Sequence, residues 1–308
     1  MEVIVSDNDP AHGEARRIVE GAGDARVHYV AFGERQGIFP NLNHGLQLAS
    51  GSFIQIFCQD DRMRPGLLSA QVAGLKRYPA AVFSYNHCHI IDEEGRLIQE
   101  GSDEGAGRPY RYFPAERVRA NLFKYGSLPG NLSPVMVRRS LIERAGYFDE
   151  GYRYAGDFEY WVRATKVGGM VISTEPLVEL RRHQGQASRT LGSHLWLLEA
   201  APIYGALYAQ LPEELRRWRT RMYANEHFGQ QAFRSLVRQA LRDGDLTLLR
   251  HLKALNRTPF NLAAILVISV LSLAGRVEWF KLPEVDFFVH HPEEEEGETE
   301  TTKLLVRE

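Results

Sequence analysis

Short apolar segments alternate with amphipathic segments between residues 1 and 190. The segments EVIVSDN, RVHYVAF, SFIQIFCQDD and AAVFSYNHCHII predict strands, and the intervening GEARRIVEGAG, NLNHGLQLASG and PGLLSAQVAGLKRYP predict helices. Strands alternating with helices are typical of an α/β fold with a largely parallel sheet. Glycine ends the first of these helices, and we expect Gly51 to end the second.

The second half of this region is less regular. Residues 101–129 are rich in Gly, Pro and charged residues, and we expect them to form a mobile insertion over the sheet. The segment GNLSPVMVRR then predicts a strand, and Ser140 with Glu143 predicts a capping box on a short helix that ends at Gly146. The segment GDFEYWVRATKVGG predicts a helix, and MVISTEPLVELRRH predicts one more strand.

The pattern becomes purely helical near Leu191, where we place a boundary. We therefore expect an α/β domain over residues 1–190 and a helical region over 191–282. The acidic tail, residues 283–308, contains HHPEEEEGETETT, has few apolar residues and is predicted to be disordered.

An apolar run, FNLAAILVISVLSLA, covers residues 260–274. It is short for a bilayer, which needs about 20 residues, so a buried or interfacial helix is favoured over a spanning one. Basic and aromatic residues flank the run: Arg257, Arg276, Trp279, Phe280 and Lys281. Packing on the preceding helices and peripheral membrane contact through 260–280 both remain open.

Composition narrows the class of protein. Hydrophobic residues at 44% and charged residues at 25% are typical of an ordinary globular protein, and the net charge of −2 excludes an electrostatic case for nucleic acid. Cys58 and Cys88, the two cysteines, lie in apolar segments and are predicted to be small buried side chains in a reducing compartment. The N-terminus lacks a signal-peptide pattern, so we expect a cytoplasmic location.

Acids follow two predicted strands: Asp7 follows the first, and Asp60 and Asp61 follow FIQIFCQ. Ligands of open α/β sheets bind beyond the carboxyl ends of the strands. Adjacent carboxylates are unfavourable unless a cation, a helix N-terminus or water compensates them, and Mg²⁺ or Mn²⁺ prefers oxygen ligands. A metal site and a simple hydrated strand end are both compatible with this pattern.

Two further residues are ambiguous when taken singly. Asp157, at the start of the helix GDFEYWVRATKVGG, fits an ordinary N-cap. His183, in LRRHQGQAS, fits a surface loop beside Arg181 and Arg182.

Taken in order, these motifs are more specific. Their order and spacing resemble those of the inverting glycosyltransferases of family 2, which have the GT-A fold. The resemblance is carried by three successive segments: NLNHGLQLASGSFIQIFCQDD, GNLSPVMVRRSLIERAGYFDEGYRYAGDFEYWVRATKVGG and LRRHQGQAS. The resemblance covers about residues 1–190. It implies an α/β sandwich with a mixed, mainly parallel sheet.

The resemblance implies a role for each candidate residue. Asp7 would contact the base of a sugar nucleotide, Asp60 would face the ribose or a metal-bound water, and Asp61 would coordinate Mg²⁺ or Mn²⁺ at the diphosphate. Asn41 and Asn43 match positions that shape the nucleotide side.

The later motifs supply the remaining roles. Asp157 matches the catalytic base, and His183 matches a loop that closes over the diphosphate or the metal. The implied donor is a nucleoside-diphosphate sugar, UDP- or dTDP-linked, and the implied acceptor is a glycan or a lipid- or protein-linked glycan. Asp157 would take the acceptor proton while configuration inverts, and we expect its place at a helix N-terminus to lower its pKa.

Two departures from the family pattern matter. The first strand and helix of the family have no counterpart, so we expect the natural protein to extend upstream of Met1. The acid pair usual before the aromatic helix is here Gly156–Asp157. Two hypotheses remain: an active glycosyltransferase, and a non-catalytic sugar-nucleotide-binding or interaction protein. A metal-dependent phosphohydrolase is a remote third.

Overall fold

The computed structural model describes residues 1–101, 109–127, 131–183, 192–272 and 280. The N-terminal part is a strand–helix–strand–helix unit formed by β1 (Val3–Asp7), α1 (Glu14–Ala22), β2 (Val27–Ala31) and α2 (Ile38–Leu48). Strands β1 and β2 pair in parallel. Gly23, with φ of +61°, ends α1, as the sequence predicts.

A larger, seven-stranded sheet forms the centre of the molecule. Its strands are β3 (Phe53–Gln55), β4 (Arg62–Met63), β5 (Ala81–Ile91), β6 (Leu97–Gln99), β7 (Tyr110–Phe113), β8 (Val135–Arg138) and β9 (Gly169–Arg181). The main order is β3-β8-β5-β9-β4, with β6 beside β5 and β7 beside β9. The sheet is mixed, as predicted.

The prediction that the sheet is mainly parallel is wrong for the described residues. In this sheet β5 and β9 pair in parallel, whereas β3–β8, β8–β5, β5–β6, β7–β9 and β4–β9 are antiparallel. The reason is that β8 inserts between β3 and β5 with the opposite direction. Strands β3, β5 and β9 still point the same way.

Helices cover the two faces of this sheet. The further helices of the α/β part are α3 (Leu67–Arg77), α4 (Ala115–Tyr125), α5 (Arg139–Ala145) and α6 (Gly156–Ala164). Successive residues of β8 face opposite sides: Val135 and Val137 join the large core, whereas Met136 packs in the cluster beneath α3. On the large-core side, the rings of Phe83 and Trp161 stack 5.2 Å apart.

The prediction of a mobile insertion over residues 101–129 is wrong for its described part. Residues 110–113 form β7, which pairs with β9, and α4 follows directly. Five residues of α4 are buried, and they lie on all sides of the helix, so its second half is enclosed by the core: Val118, Ala120, Asn121, Leu122 and Phe123. Residues 102–108 and 128–130 lie outside the described residues.

Two predicted helix ends are also wrong. The chain leaves α2 at Ala49, whose extended backbone ends the helix before Gly51. The Arg139 guanidinium then donates to the carbonyls of Ala49 and Gly51. Helix α5 begins at Arg139, so Ser140 already lies inside the first turn and forms no capping box.

A helical region follows the α/β part, as predicted. It contains α7 (Ser193–Gln210), α8 (Trp218–Ala224), a π-helical turn (Asn225–Gly229), α9 (Gln230–Asp243), a 3₁₀ segment (Leu246–Asn256) and α10 (Leu262–Leu271). Tyr204 of α7 packs edge-on against Phe123 and Phe158, so the core is continuous with that of the sheet. The predicted boundary at Leu191 and the tail, residues 283–308, lie outside the described residues.

Within the described residues, every helix is too short or too polar to span a bilayer. The apolar run forms the ten-residue α10. Ile265 and Ile268 are buried, whereas the opposite side of α10 exposes Leu266, Val267, Val270 and Leu271. One face of α10 therefore belongs to the core and the other faces outward.

Candidate active site

The predicted acid pair lies at the edge of the sheet where β3, β5 and β9 end. Strands β8 and β4 begin at the same edge, because they run antiparallel to these neighbours. Asp60 and Asp61 therefore lie between the end of β3 and the start of β4, with Ser133 just before β8 and His183 just after β9. Three separate chain segments meet at this edge.

Asp61 is held from two sides. Its Oδ2 accepts a 2.5 Å hydrogen bond from the Ser133 hydroxyl, and its Oδ1 accepts one of 2.9 Å from the backbone N–H of Arg181. Only 9% of Asp61 is exposed, and this burial raises the pKa of its carboxyl above the usual value. The two hydrogen bonds oppose that shift, and they fix the direction in which the carboxylate points.

Asp60 pairs with His183. Oδ2 of Asp60 lies 3.1 Å from Nε2 of His183, and both side chains are about a third exposed. The Arg181 guanidinium donates to the backbone carbonyl of Asp60 and to those of Asp92 and Glu93. The end of β9 thus brings the late loop against the acid pair, although residues 184–191 of that loop lie outside the described residues.

Cys58 adds a thiol to the acid pair. Among the described residues, one ligand atom each of Cys58, Asp60 and Asp61 lies within 4.8 Å of the others. Burial and the two neighbouring carboxyls raise the pKa of the Cys58 thiol to about 11, so the thiol is neutral at neutral pH. The carboxylate oxygens fit Mg²⁺ or Mn²⁺. The expectation that Cys58 is only a small buried side chain missed its place in this cluster.

Asp157 is the second residue of α6, not its N-cap, which is Ala155. Its Oδ1 accepts from the backbone N–H of Phe158 at 2.7 Å, and its Oδ2 accepts from the Ser127 hydroxyl at 3.3 Å. Burial nevertheless raises the pKa of Asp157. The expectation of a lowered pKa is therefore wrong, because desolvation of the charged form outweighs the favourable hydrogen bonds.

The direction of α6 relates Asp157 to the acid pair. Residues 165–168 connect α6 to the start of β9, so the helix runs back along the sheet and its N-terminus points toward the edge where β9 ends. A nine-residue helix is about 13 Å long and therefore spans about a third of the thirteen-residue β9. A cleft shared by Asp157 and the acid pair stays a prediction.

The structure gives a physical reason for Gly156. A Cβ atom at this position would lie 2.6 Å from the ring of Phe39 on α2, closer than any side chain tolerates. The acid that family members carry before Asp157 therefore has no room here. Phe39 instead packs against the start of α6.

On the side that the sequence predicts to bind the nucleotide, Asp7 ends β1. The Asp7 carboxylate accepts a 2.8 Å hydrogen bond from the Tyr29 hydroxyl and a 2.9 Å hydrogen bond from the backbone N–H of Asp9. The Asn41 amide is bonded to β1: its Nδ2 donates to the carbonyl of Ser6, and its Oδ1 accepts from the Ser6 hydroxyl. Asn41 thus joins α2 to β1, just before Asp7.

Asn43 is buried and bonded to the turn that contains the sequence FDE. Its amide nitrogen donates to the Phe148 carbonyl and to a carboxylate oxygen of Glu150, each at 2.9 Å, and its oxygen accepts from the Phe148 N–H at 3.0 Å. In this structure Asn43 holds the turn 148–150 against α2. A direct contact with a nucleotide stays a prediction.

Sequence reasoning missed two serines. The Ser133 hydroxyl donates to Asp61 and accepts from the backbone N–H of Cys58, so it holds two members of the cluster. The Ser127 hydroxyl donates to Asp157. Both lie on the connection between α4 and β8, six positions apart, a stretch that spans at most about 20 Å. The only sequence signal was the place of Ser133 within the motif GNLSP.

Comparison with known proteins gives a consistent picture. Residues 1–145 match the family model described as glycosyl transferase family 2. A beta-1,3-glucosyltransferase of Campylobacter jejuni, named for GalNAc(5)-diNAcBac-PP-undecaprenol, is 28% identical over 213 residues, which are 66% of this chain and 64% of that protein. Succinoglycan biosynthesis protein ExoO of Rhizobium meliloti is 26% identical over 194 residues, 62% of this chain and 55% of ExoO.

An uncharacterised glycosyltransferase of Rickettsia typhi is 22% identical over 201 residues, 65% of this chain and 60% of that protein. The chain thus covers less than two-thirds of the length of each of these three relatives. Among solved structures, S. aureus TarS 1–349 in complex with UDP-GlcNAc superimposes with a TM-score of 0.60 at 14% identity, over 82% of this chain and 70% of that one. At that identity the likeness shows the fold alone.

Proposed function

We propose that the chain is a glycosyltransferase that transfers a sugar from a nucleoside-diphosphate sugar to an acceptor hydroxyl with inversion. The match of residues 1–145 to the glycosyl transferase family 2 model and the fold shared with TarS support this proposal. The observation that carries the proposal is the cluster at the carboxyl edge of the sheet, where Cys58, Asp60 and Asp61 converge. Ligands of open α/β sheets bind at such an edge.

Asp61, with Asp60 and His183 beside it, would hold Mg²⁺ or Mn²⁺. Such an ion, when bound, neutralises the diphosphate charge and so makes the nucleotide a better leaving group. Ser133 and the Arg181 N–H keep the Asp61 carboxylate in one orientation, which limits the reorganisation needed for binding. His183 would orient Asp60 through their hydrogen bond.

Asp157 would accept the proton of the acceptor hydroxyl. A carboxyl with a raised pKa is a stronger base once ionised, because it gains more by binding a proton. The Ser127 hydroxyl donates to Oδ2 and leaves that oxygen a further lone pair for the acceptor. Attack from the side opposite the diphosphate would then invert the anomeric configuration.

The nucleotide would lie along the ends of β1 and β3. Asp7 would contact the base, and Tyr29 orients its carboxylate. Asn41 and Asn43 would support this side indirectly, because their amides hold β1 and the turn 148–150 against α2. A UDP- or dTDP-linked donor is favoured over a GDP-linked one by resemblance only.

The proposed acceptor is a glycan or a lipid-linked glycan, in line with the names of the Campylobacter and Rhizobium relatives. Peripheral contact with the inner face of the membrane is part of this proposal. Helix α10 exposes an apolar face. Both α8 and α10 contact the π-helical turn Asn225–Gly229, and α8 exposes Trp218. Several exposed arginines surround Trp218: Arg216, Arg217, Arg219 and Arg221. Apolar, aromatic and basic side chains together suit an anionic lipid surface.

Calorimetry with UDP, dTDP and GDP, each with and without Mn²⁺, tests the donor proposal. We expect heat of binding for one nucleotide only when Mn²⁺ is present. Binding without hydrolysis or transfer of the matching sugar nucleotides would favour a non-catalytic binding protein. The absence of binding by all three nucleotides would contradict the donor proposal.

A further inference from the structure

The carboxylate of Glu199, on α7, accepts three backbone hydrogen bonds from one short stretch of chain. Oε1 accepts from the N–H of Arg153 at 2.9 Å, and Oε2 accepts from the N–H groups of Tyr154 at 2.8 Å and Ala155 at 2.7 Å. These three residues directly precede α6. A side chain of the helical region therefore holds the turn that leads into the helix of Asp157.

The start of α6 lacks a local substitute for this contact. Its N-cap is Ala155, which has no side chain able to accept from the first turn. A carboxylate near a helix N-terminus is stabilised by the helix dipole, and hydrogen bonds to an ionised acceptor are stronger than neutral ones. Glu199 thus holds, from another helix, the stretch of backbone that directly precedes α6, while Asp157 itself accepts from the Phe158 N–H within the first turn.

The same turn is confined from the other side. The ring of Phe39 fills the space beside Gly156, and Phe158 packs edge-on against Tyr204, five residues beyond Glu199 on α7. Asp157 lies between Gly156 and Phe158. Its position relative to the sheet edge is therefore set by contacts with α2 and α7 rather than by α6 itself.

We propose that Glu199 is a positioning residue for Asp157: it fixes the start of α6 so that the carboxylate of Asp157 meets the acceptor hydroxyl in a productive geometry. This inference rests on the proposed function, in which Asp157 is the base. It adds that the helical region beyond residue 192 is a working part of the transferase site. In the described part of the chain, the hydrogen bonds of the Glu199 carboxylate go to backbone N–H groups, and Glu199 would not contact the substrate.

The test compares Glu199→Gln and Glu199→Ala with the wild-type chain and with Glu214→Gln, an exposed glutamate of the same region. Glutamine keeps the shape of the side chain but replaces one acceptor oxygen with a donor, and alanine removes both acceptors. We expect turnover to fall on the order of 10-fold for Gln and 100-fold for Ala, because a misplaced catalytic group loses rate without losing binding. Nucleotide affinity by calorimetry should stay within the range of the Glu214→Gln control.

Amide hydrogen exchange gives a readout that does not need turnover. Residues 153–158 should exchange faster in both Glu199 variants, and exchange in the β5–β9 core should be unchanged. Faster exchange with wild-type turnover would overturn the inference. Equal loss of nucleotide affinity and turnover would also overturn it, since that result indicates general destabilisation.

A double-mutant cycle separates this inference from the proposed function. In the Asp157→Asn background, Glu199→Ala should cause no further loss of turnover, because the group that it positions is already absent. A full additional loss would contradict the positioning role. If Asp157→Asn alone kept wild-type turnover, the proposed function would fail, whatever the result for Glu199.

Discussion

The hydroxyl of Ser133 donates a 2.5 Å hydrogen bond to the carboxylate of Asp61, and these residues lie 72 positions apart in the chain. Six positions earlier, on the same connection, Ser127 donates to Asp157. One segment between α4 and β8 therefore supports both of the acids to which we assign chemistry. This arrangement makes the two serines a matched pair for experiments.

Ser133→Ala should weaken metal binding on the order of 10- to 100-fold, as expected when a group that orients a metal ligand is removed. Mn²⁺ titration followed by electron paramagnetic resonance measures the effect directly. Ser127→Ala is the control, because its hydroxyl contacts Asp157 and not the acid pair. Equal weakening by both substitutions would indicate a general loss of structure in the connection.

Asp61→Ala should abolish metal-dependent nucleotide binding, whereas Asp157→Asn should leave binding almost intact and remove turnover. In the proposed mechanism the two acids would act on different partners: Asp61 on the cation at the diphosphate, and Asp157 on the proton of the acceptor. Losing a general base costs about 10²–10⁴-fold in rate. Calorimetry measures nucleotide binding and a transfer assay on the same preparations measures turnover. A similar loss of binding in the two variants would argue against Asp157 as the base.

Turnover should depend on pH through Asp157. Burial raises the pKa of its carboxyl above the ordinary value of 3.8, and below that raised pKa the carboxyl is protonated and cannot accept a proton. The rate should therefore rise with pH along an acidic limb that begins above pH 3.8. A profile measured at saturating donor and metal gives the midpoint, and a limb centred at the ordinary value would contradict the assignment.

The same pKa shift has a consequence for stability. An acid whose pKa is higher in the folded than in the unfolded state destabilises the fold as pH rises through that interval, and has no effect below the unfolded value. Asp157→Asn should therefore raise the thermal midpoint at neutral pH. The difference from the wild-type chain should vanish toward pH 3.8, and scanning calorimetry across pH tests this sign.

Gly156→Ala should destabilise the protein by about 1–3 kcal/mol, since its Cβ would overlap the ring of Phe39 in a packed core. Gly21→Ala is the matched control: this glycine lies in α1 with open space around it, so alanine should be neutral or stabilise by up to about 1 kcal/mol. Urea denaturation measures both. A neutral Gly156→Ala would mean that Phe39 moves aside freely.

The membrane proposal is best tested by substitution on the outer face of α10. Deleting the helix would be uninformative, because Ile265 is fully buried against Gly229 and belongs to the core. Val267 and Val270 are 58% and 66% exposed, so changing both to Gln should leave folding intact. Sedimentation with anionic vesicles should then be lost, and if the double variant still sediments like the wild-type chain, this face is not the contact.

The spacing of apolar residues was sufficient to locate most strands and helices. Each of these elements buries one face, and the residues of that face recur at a regular interval along the sequence. The exceptions have a shared cause. We did not predict β7 and α4 from the Gly- and Pro-rich sequence of residues 101–129. Strand β7, which pairs with β9, has four residues, and four residues are too few to show a clear alternation of apolar and polar positions. The antiparallel direction of β8 could not be inferred either, because strand direction depends on which neighbours the chain returns to.

The candidate acids were also evident from the sequence, since Asp7, Asp60 and Asp61 directly follow apolar segments and Asp157 opens an aromatic helix. Their partners were not. Ser127, Ser133 and Glu199 lie 30, 72 and 44 positions from the groups they bind. No local pattern marks Ser127 or Glu199, and Ser133 has only its place within the motif GNLSP.

By itself, the sequence determined most of the element types, their order outside residues 101–129 and the acids at the strand ends, because these follow from periodicity and local chemistry. Only the tertiary structure decided the direction of the Asp157 pKa shift, the hydrogen bonds of Ser133 to Cys58 and Asp61, and the hydrogen bonds of Glu199 to the turn before α6. Burial and contacts between distant segments control all three. Such quantities exist only once the chain has folded and water has been excluded from the site.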